Sequence, residues 1–592
     1  MTKIGILKPK TTDETQQLIS VALGEKKADL AVINANVVNV YTAEILKDQI
    51  VTVKGKWIAY VGKNANDAIG PHTEVIDAAG RTIIPGLIDG HTHIAWMFTA
   101  AEFLRYAAVG GTTTVVTETL ELYPVSGYAG VVDFLESLQD QPIKVLATAP
   151  AVISISSVAR GISQEDLAQL LARDDIIGLG ESYWQSILQY PTDILPQYEQ
   201  TLLAGKALEG HSAGASDRKL AAYVAGGITS CHEPINADQV LERLRLGLHV
   251  LIREGSIRRD LAEIAHIKDR GIDLRRLVLS TDGVEPEDLV KNGYMEFVLQ
   301  KAIDHGFDPI AAVQMATLNV AEHFALDALI GGIAPGRMAD MVIIPDIQTI
   351  DASMVISNGK VIARDGKLTA APRRHAFTNE SRQSVRLPRE LKPSDFIISA
   401  DNETVSANVR LINMVTDLVT AELVMPWPVT DGELKPNIDQ DVIKVAAIDR
   451  THNPGKMTVG LIKGFGLKSG ALACSAAWDS SDIIVAGTRD VDMAAAVNRI
   501  HELQGGAVVC ENKKILAELP LPVFGLMSEL PIEIIARRLQ KIKKEIKRLG
   551  VPFPDPILTL ITQTGAAIPY LRICEEGLVN LKNGKTLELI VA

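Results

Sequence analysis

Cysteine is scarce, with four in 592 residues. Cys231, Cys474, Cys510 and Cys574 lie far apart and form no CxxC pair, which argues against a disulfide framework and a thiolate zinc site. Aromatic residues make up only 5% of the chain, so its packing must be mainly aliphatic. Positive charge is also short: 59 Lys and Arg face 72 Asp and Glu, a net charge of −13. A chain of that sign is poorly suited to a phosphate backbone, and no nucleic-acid partner is expected. No apolar run approaches about 18 residues, so no membrane span is expected. The first twenty residues lack the apolar core of a signal peptide, and a cytoplasmic location is the expectation. Repeats and low-complexity tracts are missing as well.

What is present is ordinary globular composition, 47% apolar and 22% charged, which rules out long-range disorder. Two segments read as short strands with tight turns, residues 28–84 and 335–370. Lys54-Gly55-Lys56 marks a turn in the first, and Asn358-Gly359 between apolar runs signals a hairpin in the second. These two segments are expected to pair into one small β-sandwich domain, with the middle of the chain inserted between them. That middle, 85–334, contains eight short apolar runs: TIIPGLIDGH, TTTVVTE, IKVLATAP, IIGLGE, KALEGH, GITSCH, HVLIREG and LVLSTD. Each precedes a helical pattern such as SQEDLAQLLARD or ADQVLERLRLG. Eight such alternations predict a (β/α)8 barrel, whose chemistry sits at the strand C-termini. Residues 370–398 read as a polar linker, and 399–592 as a further α/β domain. Its stretch PIEIIARRLQKIKKEIKRLG places Ile535, Leu539, Ile542, Ile546 and Leu549 on one helix face, with the lysines on a solvated one. GLIKGFGLKSG is not a P-loop, because Leu467 precedes Lys468-Ser469 where the motif needs glycine.

Potential metal ligands fall at the predicted strand ends. His91 and His93 close the first run, and alternate residues of a strand share a side. Glu181 ends the fourth run, His211 the fifth, His232 the sixth and Asp282 the eighth. Each has an ordinary alternative: a solvated acid, a helix-terminal or core histidine, an N-cap. Converging on one barrel rim, four imidazoles and two carboxylates suit two divalent ions such as Zn, Mn or Fe.

The start PGLIDGHTH and the later GIAPGRMADMVII resemble the amidohydrolase superfamily. GLGE, GHSAG, GGITSCHEP, LIREGS and the C-terminal stretch VGLIKGFGLKSGALACSAAWDS resemble its adenine deaminases. The resemblance covers nearly the whole chain. It implies a binuclear centre of two divalent cations, with Mn favoured. His91, His93 and Asp282 would hold one ion, His211 and His232 the other, and Glu181 would bridge. It further implies a hydrolase acting on the C–N bond of a cyclic amidine, converting adenine and water to hypoxanthine and ammonia. Asp282 would be the proton acceptor, with Glu121 or Glu233 as a second acid. Glu233 adjoins His232 and, on a regular strand, would face the other way. Arg253 and Glu254 end the seventh run and are candidates for substrate contact or for a mutual ion pair. Lys144, in the third run, reads as an ordinary strand residue, and Cys231 as packing. A small-molecule purine is the expected partner, and a homo-oligomer the expected assembly.

Three stretches depart from the family pattern. Where it has TDPHE, this chain reads Thr117-Glu118-Thr119-Leu120-Glu121; where it has TDD, Thr281-Asp282-Gly283; where it has HDSHN, Trp478-Asp479-Ser480-Ser481-Asp482. None of these changes removes a proposed ligand. They leave open another heterocycle or a cyclic amide as the substrate. A non-catalytic binding protein that retains the fold is the alternative of a different class.

Overall fold

The computed structural model describes residues 8, 10–151, 154–189, 191–401 and 404–591. Eight parallel strands run through the middle of the chain: β1 (Leu87–Thr92), β2 (Thr112–Thr117), β3 (Lys144–Ala149), β4 (Ile176–Tyr183), β5 (Ala207–His211), β6 (Ser230–Cys231), β7 (His249–Arg253) and β8 (Leu277–Ser280). All are buried almost throughout. Strands covered on both faces read as continuous apolar runs rather than alternating ones, which is why they were visible in the sequence. Strands β1 to β5 form one sheet in chain order and β6 to β8 a second. Backbone bonds join the two at both seams. Thr229 N–H donates to Leu208 O (3.0 Å) between β5 and β6, and Asp282 N–H donates to His91 O (3.0 Å) between β8 and β1. Helices intervene along the chain, among them Tyr123–Ser137, Gln164–Leu171, Ala237–Arg245 and Met295–Asp304.

The first apolar run divides between two sheets. Thr82–Pro85 joins an outer sheet, and only Leu87 onward belongs to the parallel set. That outer sheet has nine strands, drawn from both flanking segments. Met341–Ile344 lies antiparallel to Thr82–Pro85, with Ile344 opposite Thr82. Strands of both segments thus share a single sheet. Asn358 and Gly359 both have positive φ (51° and 74°) in the predicted two-residue hairpin, the geometry that Asn-Gly accommodates.

The C-terminal region is built on a ten-stranded mixed sheet with helices Asp490–Leu503 and Ile532–Arg548. In the second helix Ile535, Leu539, Ile542 and Ile546 are buried, as their spacing predicts. The glycine-rich stretch before Ala471–Cys474 leads into a strand, whereas a phosphate loop opens a helix.

Residues 370–398 are more than a linker. Asp133 accepts from Thr378 N–H (3.0 Å) and pairs with His375 Nε2 (2.7 Å), while Val385, Leu387, Leu391 and Phe396 are buried. His375, Thr378 and Ser381 anchor the stretch to Asp133 between buried apolar residues, while Arg374, Arg386 and Glu390 are exposed.

Candidate metal centre and active site

The six predicted ligands converge at the C-terminal ends of the parallel strands. Register shifts bracket two of them: Asp89 to Thr92 around His91, and Leu179 to Ser182 around Glu181. Such irregularities re-aim a side chain locally. Gly180 permits the crowding, since a Cβ there would lie 2.1 Å from Glu118 Oε2. Asp282 follows β8 in a left-handed conformation (φ 54°) and precedes Gly283 (φ 101°), so the chain turns sharply just where the carboxylate is presented.

Asp282 Oδ1 lies 3.3 Å from both His91 Nε2 and His93 Nε2. Glu181 spans the cluster: Oε1 is 3.6 Å from His93 Nε2, and Oε2 is 3.1 Å from His232 Nε2 and 4.0 Å from His211 Nε2. Three ligand groups, each with donor atoms within 4.8 Å of one another, are His91/His93/Asp282, His91/Glu181/His232 and His211/His232/Glu233. The imidazole and carboxylate donors suit divalent cations. Moreover His91 Nε2 is buried and makes no hydrogen bond, an orphaned donor atom aimed into the cluster.

Charge balance within the cluster is tight. Burial alone would push Glu181 up, but His232, His211 and His93 hold it at about 2. Asp282 is likewise held well below the usual range by His91, His93 and Arg253 against its burial. Burial depresses His91, yet Asp282 and Glu118 outweigh it and lift the imidazole to about 9.

Glu233 joins the cluster rather than facing away. Strand β6 ends at Cys231, so strict alternation does not extend to residues 232 and 233, and Glu233 Oε1 reaches His211 Nε2 (3.1 Å). Arg253 is buried and bound to three carboxylates: Glu233, Asp282 (3.2 Å) and Asp260 (3.1 Å). The expected Arg253–Glu254 pair does not form. Glu254, next in the chain, turns to the other side and bonds Lys301 (2.7 Å), away from the cluster. It is not among the residues that line the cavity beside the cluster. Glu121 pairs with His93 Nδ1 through Oε1, while Oε2 is buried without a partner. Lys144 opens β3 and is tied to Asp340 (2.8 Å). Cys231 is buried and 2.8 Å from Ser212 Oγ.

Two buried acids were missed. Glu118 follows β2, 3.5 Å from His91 Nδ1, and accepts from Glu181 N–H (3.3 Å); burial lifts it to about 7. Its place directly after a predicted strand was the available signal. Asp89 accepts from Thr281 Oγ1 (2.6 Å) and Tyr294 Oη (2.5 Å), locking β1 to the end of β8. Its two-residue spacing from His91 was the clue, since it places both on one side of the strand.

The cluster forms one wall of a cavity of about 330 Å3. Residues beyond 399 complete it: Leu418, Trp478, Asp479 and Ile568 line the cavity together with Leu120 and Trp96. Local sequence patterns do not fix this contribution, which depends on packing between distant segments; the family departure at Trp478 is the pointer to it.

Residues 228–367 match the amidohydrolase family, and residues 417–585 the adenine deaminase C-terminal domain. An adenine deaminase of Moorella thermoacetica is 35% identical over 585 residues, covering 97% of this chain and 98% of that protein. One from Cenarchaeum symbiosum is 34% identical, covering 97% and 95% respectively. Among solved structures, a β-aspartyl dipeptidase of Fervidobacterium islandicum AW-1 aligns with 57% of this chain and 97% of its own at a TM-score of 0.46 and 19% identity. With a full-length relationship above 30% identity and a C-terminal domain of the same kind, the chain belongs to the adenine deaminase family of amidohydrolases.

Proposed function

We propose that the chain is a metal-dependent hydrolase converting adenine and water to hypoxanthine and ammonia. The observation that carries this is the convergence of four histidines and three carboxylates on one wall of a closed-over cavity, in a chain of this family. On this reading the two parallel sheets work as a single (β/α)8 barrel spanning about 85–334. It is set into a β-domain from 28–84 and 335–370, with 399–592 as the third unit. His91, His93 and Asp282 would hold one cation and His211 and His232 the other, with Glu181 between them. Zinc, iron or manganese is compatible with the imidazole and carboxylate donors, manganese being favoured only by the family resemblance. When bound, such ions act as Lewis acids and make water acidic near neutral pH.

The side chains supply the proton handling. Asp282, ionised and held by Arg253, accepts a proton from the attacking water and returns it to the departing amine. Glu121 is fixed by His93 through one oxygen and has the other free, so it serves the ring nitrogen. Glu233 is kept anionic by Arg253 and His211 and acts as an acceptor.

Ammonia release from adenine, other purines, pterins and cyclic amides tests the assignment. Adenine should be the preferred substrate, with turnover abolished by chelation and restored by added Mn, Fe or Zn. A folded, metal-free chain with full activity would overturn it. Leu120 bears on preference within this class, because it lines the cavity with an apolar surface. An unpaired buried polar group costs about 1–3 kcal/mol. Leu120→His, which offers a partner, should therefore raise kcat/KM for adenine about tenfold relative to other heterocycles. An unchanged ratio would make Leu120 neutral.

A further inference from the structure

Two carboxylates reach the cavity from the C-terminal region, Asp417 and Asp479. Asp417 is half-buried beside the exposed Val415 and Thr416. Asp479 is 5% exposed and fixed on both oxygens. Its Oδ1 accepts from Tyr183 Oη (3.0 Å), and its Oδ2 from Ala566 N–H (2.8 Å). Tyr183 in turn is anchored to the ligand cluster. It follows Glu181 by two residues on β4, and its ring meets the His211 ring edge-on, with centroids 4.9 Å apart. Through this phenol the Asp479 carboxyl is tied to the strand that carries Glu181, and both carboxyls line the cavity. This arrangement holds a second acidic group at a fixed place in the cavity, separate from the proposed proton-transfer groups. Its oxygens retain lone pairs beyond those already used.

We propose that Asp479 is a specificity-determining residue whose carboxyl accepts the imidazole-edge N–H of the purine. This rests on the adenine deaminase reading above. In adenine the amine-bearing carbon lies in the six-membered ring and the N–H in the five-membered ring. Asp282 and Asp479 line the same cavity, so a purine with that carbon at Asp282 can turn its N–H to Asp479. The C-terminal region thereby acts in substrate selection as well as in covering the site.

Steady-state kinetics with adenine and with 9-methyladenine, which lacks the N–H, test this alongside metal content. The parent chain should favour adenine in KM. Asp479→Asn should raise KM for adenine by about tenfold, the size of one hydrogen bond. KM for 9-methyladenine, kcat and bound metal should stay within about threefold, so that the preference collapses. Should the Asn variant fail to fold, Asp479→Ser carries the same comparison. Equal handling of the two purines by the parent, or a parallel loss on both in the variant, would overturn the proposal, because a merely structural role affects both alike. A parent chain that releases no ammonia from adenine would instead overturn the functional reading.

Discussion

Asp282→Asn should keep its metal and lose about 10²–10⁴ in kcat, the usual contribution of a positioned general base. The two side chains are nearly isosteric, and the surroundings of Asp282 are rigid. Its N–H is bonded to His91 O, its Oδ2 to Arg253, and its Oδ1 faces two imidazoles at 3.3 Å. Asparagine retains an oxygen for one of these contacts but has no site to take up a proton. Measuring kcat at saturating adenine beside metal content separates loss of chemistry from loss of the centre. Turnover within a few-fold of the parent would move the base elsewhere, first to Glu118, which is buried in the same cluster.

Much of this arrangement was legible because of one physical fact. Strands buried on both faces must be apolar throughout, so polar ligands at their ends stand out against the run that precedes them. His91, Glu181, His211 and Asp282 were visible in that way. The errors occurred where local periodicity changes. Pro85 and Leu87 lie in one apolar run, yet the chain passes from one sheet to another between them. Strand alternation does not extend to Glu233, because β6 has already ended, but it does separate Arg253 from Glu254. Glu118 escaped because a carboxylate following a threonine-rich strand resembles an ordinary loop acid. The placement of Trp478 and Asp479 against residues about 300 positions earlier in the chain has no local signature. It follows from the sheet that carries them packing over the strand ends.

Glu181→Gln should lower the bound metal and reduce turnover by more than about 100-fold, since losing groups that only orient a ligand already costs 10–100-fold. Glu181 alone places one oxygen toward His93 and the other toward His232 and His211. Glutamine removes the negative charge that keeps like-charged cations together, and it replaces one oxygen donor with an amide nitrogen that cannot coordinate well. Metal analysis with activity measured across added Mn, Fe or Zn is the appropriate readout, because a weakened site should be partly rescued at high metal. Were metal content and turnover unchanged, the linking group would have to be another residue. Lys144 is not a candidate: it begins β3, while the ligands gather at strand C-termini, and its amine is committed to Asp340 and Asn358. Glu118 would be, lying 3.5 Å from His91 and bonded to the backbone N–H of Glu181. The pair Glu181→Gln and Glu118→Gln therefore decides which carboxylate links the two halves of the cluster. On the distances observed, Glu118→Gln should cost less metal than Glu181→Gln.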